Sequence, residues 1–205
     1  MKQVNTLPGD SSDYHLLTKG VELSKDVVGM TCEIGLRLGG GTKYIVDAIS
    51  ANCPGKVHIA IDPYGHIEYN NKEGSICRLD YTNEMRDTCL GNLYPYVASK
   101  GVQFLFFNLE DTEFFNRYAD GVPVYRLEKT LETKYSFIHF DGPHAVDPLK
   151  EELDFFIPRA SKGAIFAFDD ITDYYDHSEI EAILFNAGFV LIEKTFHKGI
   201  YRYEN

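Results

Sequence analysis

The stretch Met30-Thr31-Cys32-Glu33-Ile34-Gly35-Leu36-Arg37-Leu38-Gly39-Gly40-Gly41-Thr42 decides how the chain is read. Met30 to Ile34 is a short, mostly apolar run of the kind that forms a buried strand, and it stops at Gly35. Three further glycines, Gly39, Gly40 and Gly41, then lead into a helix from about Thr42 to Ala51. Glycines at such a turn let backbone approach a ligand closely, and the N–H groups that open a helix face whatever binds there. A tight strand-to-helix turn also wants glycine for steric reasons alone, so the turn does not by itself name a ligand. Its spacing, G-x-x-x-G-G-G, departs from the G-x-G-x-x-G of dinucleotide sites. A cofactor without phosphates fits better than NAD.

Outward from this turn the same unit recurs. Val57 to Ile61 reads as a second strand, ending in Asp62-Pro63, and residues 83–99 read as a helix. Gln103 to Phe107 is a third strand, 111–118 a short helix, and Tyr135 to Phe140 a fourth strand ending at Asp141-Gly142. Pro148 suits the first turn of a helix that runs to about Ile157, and Gly163 opens a fifth strand, Ala164 to Phe168, ending at Asp169-Asp170. Ser178 to Asn186 reads as a helix closed by Gly188, and Phe189–Phe196 with Gly199–Tyr203 as an antiparallel hairpin turning at His197-Lys198. A helix over 14–28 precedes the first strand, and the polar segment Glu68 to Asp80 is expected to be a surface excursion. Strands alternating with helices predict an α/β chain: a Rossmann-like doubly wound sheet, mostly parallel, with an antiparallel C-terminal hairpin. We read residues 1–205 as a single domain with 1–28 as a helical lead-in.

Composition narrows the partners. A net charge of −11 leaves no broad basic surface for a nucleic-acid backbone, and no run approaches the ~20 apolar residues of a membrane helix. The first residues lack a signal-peptide core, so a cytoplasmic protein acting on a small molecule is expected, with self-association into a homo-oligomer left open. Cys32, Cys53, Cys77 and Cys89 show no C-x-x-C pairing and read as reduced thiols.

In a doubly wound sheet, ligands sit at the carboxyl ends of the strands. Gly35, Asp62, Asn108, Asp141 and Asp169 all fall there. Asp62 is placed to accept hydrogen bonds from both hydroxyls of a ribose, or else to shape the turn before Pro63. Tyr64 could lie against an adenine ring or at the surface, and the segment Asn108-Leu109-Glu110 offers polar contacts to a base. Asp141, Asp169 and Asp170 would crowd three carboxylates onto one rim; Mg²⁺ or Mn²⁺ would relieve their repulsion, the alternative being solvent-facing or capping aspartates. His144, near Asp141, is a candidate base or ligand, and Tyr174 and Tyr175 are candidate acceptor contacts. No histidine pair has zinc-site spacing.

Glu33-Ile34-Gly35 with Gly39-Gly40-Gly41-Thr42, Ile61-Asp62-Pro63, and Phe140-Asp141-Gly142-Pro143-His144 followed by Phe168-Asp169-Asp170 together resemble the class I S-adenosylmethionine-dependent methyltransferases, particularly the macrocin-type and catechol-type O-methyltransferases. The resemblance spans nearly the whole chain. It implies that Glu33, Gly35, Arg37, Gly39, Gly40 and Thr42 hold the methionine part of S-adenosylmethionine. Asp62 would hold the ribose, and Tyr64, Asn108, Leu109 and Asp141 would complete the cofactor site. Asp141, Asp169 and Asp170 would ligate Mg²⁺ or Mn²⁺, and Asp141 and His144 would be catalytic in methylating a small hydroxylated acceptor. Pro143 departs from the pattern, since relatives often carry an acidic residue there that can act as a base. The lid over an acceptor would come from the N-terminal helix, the loop 171–178 or the segment 68–80. Metal-independent N- or O-methylation and a catalytically silent S-adenosylmethionine-binding or interaction module are the alternatives.

Overall fold

The computed structural model describes residues 7–9, 11–65, 67, 69–70, 76–77, 81–172 and 175–205. In chain order, α1 is His15–Leu23, β1 Met30–Ile34, α2 Gly40–Asn52 and β2 Val57–Ile61. The ribbon strands β3 (Tyr69–Asn70) and β4 (Ile76–Cys77) are followed by α3 (Asn83–Lys100), β5 (Gln103–Phe107) and α4 (Asp111–Arg117). A hairpin, β6 (Val122–Tyr125) and β7 (Lys129–Glu132), leads to β8 (Tyr135–Phe140), α5 (Val146–Phe156) and β9 (Ala160–Phe168). The chain ends with α6 (His177–Ala187), β10 (Phe189–Lys194) and β11 (Gly199–Tyr203).

Seven strands form one sheet in the order β10-β11-β9-β8-β1-β2-β5. β5, β2, β1, β8 and β9 run parallel, and β11 inserts antiparallel between β9 and β10. The period of two along each strand divides two cores. Met30, Cys32 and Ile34 of β1 and Ala164, Phe166 and Phe168 of β9 pack with Phe114 of α4, Phe156 of α5 and Leu184 of α6. Ile165 and Ala167 face the other way, with Leu16 and Val21 of α1, Ile45 and Ile49 of α2 and Leu93 of α3. The expected α/β sheet with its antiparallel terminal hairpin is what forms.

Boundaries differ where glycine or local turns intervene. The first helix ends at Leu23 rather than near residue 28, because Ser24 already leaves helical geometry and turns lead to Gly29 at φ 122°. β9 starts at Ala160, four residues before the expected Ala164, and the β8–β9 register shifts between Tyr135 and Phe137, beside Gly163 at φ 88°. The hairpin β6–β7 is not legible in the sequence: Pro123 weakens the strand pattern, yet Val122 and Val124 are fully buried in the core behind it. Most of the segment 68–80 lies outside the described residues. No helix among the described residues is long and apolar enough to cross a membrane.

Candidate active site

The carboxyl ends of β1, β2, β8 and β9 and the start of α4 open onto a cleft of about 940 Å³. Its wall holds Gly35, Arg37, Gly41, Asp62, Asp141, His144, Asp169 and Asp170, with Glu110, Asp111 and Thr112 on the α4 side and Ser11 from the N-terminal segment. Of the strand-end residues named from the sequence, Gly35, Asp62, Asp141 and Asp169 meet on this rim, and Asn108 does not line it.

At β1, Gly35 takes φ 89°, and a Cβ built there would stand 2.0 Å from the carbonyl oxygen of Asp141. Glycine is required so that the ends of β1 and β8 can close on each other, with Asp141 N–H donating to Ile34 O at 3.0 Å. The turn that follows is pinned from the next strand. Asp62 Oδ2 accepts from the backbone N–H groups of Leu36 and Arg37, each at 2.7 Å. Asp62 is 1% exposed, and its Oδ1 has no hydrogen-bond partner. Burial pushes the carboxyl up to about 7, although the two N–H groups pull it down. A buried carboxylate oxygen with an unused acceptor at a cleft wall is the feature a ribose hydroxyl would satisfy.

The other residues of the glycine turn have different neighbours. Gly39 caps α2 in the left-handed region against Leu7, and a Cβ at Gly40 would lie 2.8 Å from Gly9 Cα and Pro8 O. Gly41 leaves room for the Glu33 carboxylate, whose Oε1 would be 2.3 Å from a Cβ there. Glu33 accepts a hydrogen bond from the Thr42 hydroxyl and lies 2.9 Å from His139 Nδ1, and all three side chains are buried. Glu33 and Thr42 therefore bind each other rather than project from the wall, and Gly39 and Gly40 pack beneath the N-terminal segment. Tyr64 is buried, its hydroxyl donating to Arg37 O and its N–H to Asn108 Oδ1 at 2.9 Å. Asn108 returns a bond to Tyr64 O at 3.3 Å, so this pair braces the wall, while Leu109 packs against the core. Glu110, Asp111 and Thr112 line the cleft beyond them.

The acidic rim is built differently from the sequence expectation. His144 Nε2 lies 3.8 Å from Asp170 Oδ2, both side chains partly exposed to the cleft. Asp169 is buried, and its Oδ2 is ion-paired with the ammonium of Lys198, itself fully buried, while Ser11 Oγ donates to the same oxygen at 2.8 Å. Asp169 Oδ1 accepts from Asp170 N–H at 2.8 Å. Burial acts to raise the Asp169 carboxyl, but Lys198 and the Ser11 hydroxyl hold it below the usual carboxylate range. Among the described residues, the group whose potential ligand atoms lie within 4.8 Å of one another is His139, Asp141 and Asp169, with Asp170 outside it. A divalent ion on Asp141, Asp169 and Asp170 together does not fit: Asp170 turns to His144, and Asp169 already has protein partners on both oxygens.

His139 is not among the residues the sequence pattern singles out. It stands opposite Glu33 in the β1–β8 register, and its Nε2 is a buried nitrogen without a hydrogen-bond partner, 4.0 Å from Asp141 Oδ2. A polar residue within the otherwise apolar run Phe137-Ile138-His139-Phe140 is the available signal. Lys198 reads in the sequence only as a hairpin turn residue, and nothing there marks Ser11. Tyr175 turns its hydroxyl toward the Asp169 carbonyl at 3.4 Å and lies 3.1 Å from His177 Nδ1, whereas Tyr174 is outside the described residues.

The fold is shared with solved O-methyltransferases. The TDP-rhamnose 3′-O-methyltransferase CalS11 of calicheamicin biosynthesis superposes with a TM-score of 0.67 at 14% identity, over 94% of this chain and 79% of that one. The O-methyltransferase TomG from Streptomyces achromogenes, solved with S-adenosylmethionine, gives 0.63 at 11% identity over 98% and 83%. An O-methyltransferase from Bacillus cereus, solved with S-adenosylhomocysteine, gives 0.59 at 10% identity over 96% and 83%. No protein-family model and no curated protein sequence matches the chain.

Proposed function

We propose that this chain is a cytoplasmic S-adenosylmethionine-dependent O-methyltransferase, one domain acting on a small hydroxylated acceptor. The observation that carries the reading is Asp62: one oxygen fixes the Leu36–Arg37 turn, the other is buried and unpartnered, and the residue lines a cleft that also holds His144 and Asp170. The fold shared with O-methyltransferases, two of them solved with the adenosyl cofactor or its product, supports it.

Asp62 would take the ribose hydroxyls, while Gly35 and the turn to Arg37 would border the methionine part. When bound, S-adenosylmethionine supplies a methyl group on a positively charged sulfur. The protein's share is to hold the acceptor oxygen in line with that methyl and to remove the hydroxyl proton. His144, 3.8 Å from Asp170, would take the proton as the oxygen–methyl bond forms and the sulfur–methyl bond breaks. Glu33, Thr42, Tyr64 and Asn108 would hold the wall of the cofactor site in shape.

Divalent-metal assistance is the second reading, and what favours it is the gathering of His139, Asp141 and Asp169. Thermal unfolding with S-adenosylhomocysteine, S-adenosylmethionine and NAD in parallel tests the cofactor, because a ligand that binds only the folded chain raises its stability. A rise with the adenosyl sulfur compounds and not with NAD is expected. An unchanged melting temperature with all three would reject the function. Methyl transfer that stops in a chelator and returns with Mg²⁺ would favour the second reading.

A further inference from the structure

We propose that Lys198 is the resident cation of the acidic rim, balancing Asp169 in place of a divalent ion, and that the site binds no such ion tightly. The last hairpin makes this possible. Thr195 N–H donates to Lys198 O at 2.7 Å, and Lys198 N–H donates to Thr195 Oγ1 at 2.9 Å, which ties the lysine backbone at the turn where β10 passes into β11. From there the side chain runs inward rather than into solvent. Its ammonium reaches Asp169 Oδ2, donates to Ser11 Oγ at 2.8 Å, and lies 5.3 Å from the centre of the Tyr14 ring. Those partners surround it with an anion, a hydroxyl and an aromatic face, the company a buried ammonium needs.

The ion pair and a divalent ion compete for the same carboxylate. A dication ligated by Asp169 would stand within a few ångströms of a fully buried ammonium, where like charges are poorly screened. If it instead took Asp169 away from Lys198, it would leave that ammonium buried without its counter-charge. Ser11 adds to the competition, because its hydroxyl bridges the two partners and uses the same Oδ2. Of the other two members of the group, His139 adds no negative charge, which leaves the Asp141 carboxylate alone to offset the repulsion.

This charge balance goes beyond the methyl-transfer reading and does not depend on it, so its test uses the metal alone. MnCl₂ is titrated into the full chain by calorimetry, with Mn²⁺ electron paramagnetic resonance as a second readout. The native chain is expected to show no saturable binding below about 1 mM. Lys198→Met, which keeps length and removes charge, should bind Mn²⁺ at least about tenfold more tightly, and Lys198→Met/Asp169→Asn should lose that gain. Saturable micromolar binding to the native chain that disappears in Asp141→Asn or Asp169→Asn overturns the proposal without recourse to the lysine variant. Lysine labelling by reductive methylation gives a check that needs no substitution. Lys198 should stay unmodified with and without Mn²⁺, whereas labelling that appears only when Mn²⁺ is added means that the ion displaces the ammonium, and the proposal fails.

Discussion

Replacing Asp62 by asparagine should change the pH dependence of stability in a calculable way. The carboxyl titrates near its ordinary 3.8 in the unfolded chain and at about 7 in the folded one. Between those values the folded chain holds a proton that the unfolded chain has released, so stability contributed by the neutral carboxyl is full below about pH 4 and lost as pH rises through about 7. At 1.36 kcal/mol per pH unit, the loss between pH 5 and 7.5 is roughly 2 to 3 kcal/mol. The amide introduced by Asp62→Asn does not titrate. The stability of the native chain minus that of Asp62→Asn should therefore fall by that amount over this window, and other titrating groups cancel in the difference. Urea unfolding of both proteins at several pH values measures it. A difference that stays flat from pH 5 to 7.5 would refute the assignment of Asp62 as a carboxyl that burial keeps protonated. Ribose hydroxyls that donate to the ionised form would pull the same equilibrium back, so affinity for S-adenosylhomocysteine should rise with pH up to about 7 in the native chain and not in Asp62→Asn.

Gly35→Ala should cost about 3 kcal/mol or more, because the new methyl group meets the Asp141 carbonyl at a backbone angle that only glycine adopts freely; thermal unfolding reads this, and a melting temperature like the native one would contradict it. His144→Gln should lower kcat by about 100- to 10,000-fold with little change in S-adenosylhomocysteine binding, and wild-type turnover at neutral pH would remove His144 as the base. Glu152 is fully buried, both oxygens lack hydrogen-bond partners, and burial, with the nearby Asp111 carboxylate, pushes its carboxyl well up. Glu152→Gln should stabilise the chain on the order of 1 to 3 kcal/mol at pH 8, the gain shrinking toward pH 4 as the unfolded carboxyl also takes up its proton.

What the sequence carries is the local rule that sets each strand and its end. Apolar runs closed by Gly35, Asp62, Asp141 and Asp169 place those residues on one rim, because strand termini in a parallel sheet must share an edge. What it does not carry are contacts between parts distant along the chain. Lys198 sits in a short hairpin connection, where lysine ordinarily faces water, and only the pairing of β11 with β9 brings it under Asp169. Ser11 reaches the same carboxylate from 158 positions away. Glu33 and Thr42 resemble cofactor contacts because they flank the glycine turn, and the β1–β8 register instead gives Glu33 a buried histidine. Polar residues inside apolar strands, His58 and His139 as well as Glu33, are the one local sign of that layer.

Of the described residues before the first helix, Leu7 lies against Gly39, Pro8 and Gly9 against Gly40, and Ser11 on Asp169. Trimming the chain to begin at the first helix, a common step toward better crystals, would remove Ser11 from the lining of the cleft while sparing every strand. Such a truncated protein would keep every strand of the sheet, yet deprive the Lys198–Asp169 pair of Ser11 and Tyr14. A folded, inactive product of that kind would report the loss of these contacts and say nothing against the chemistry of the strand ends.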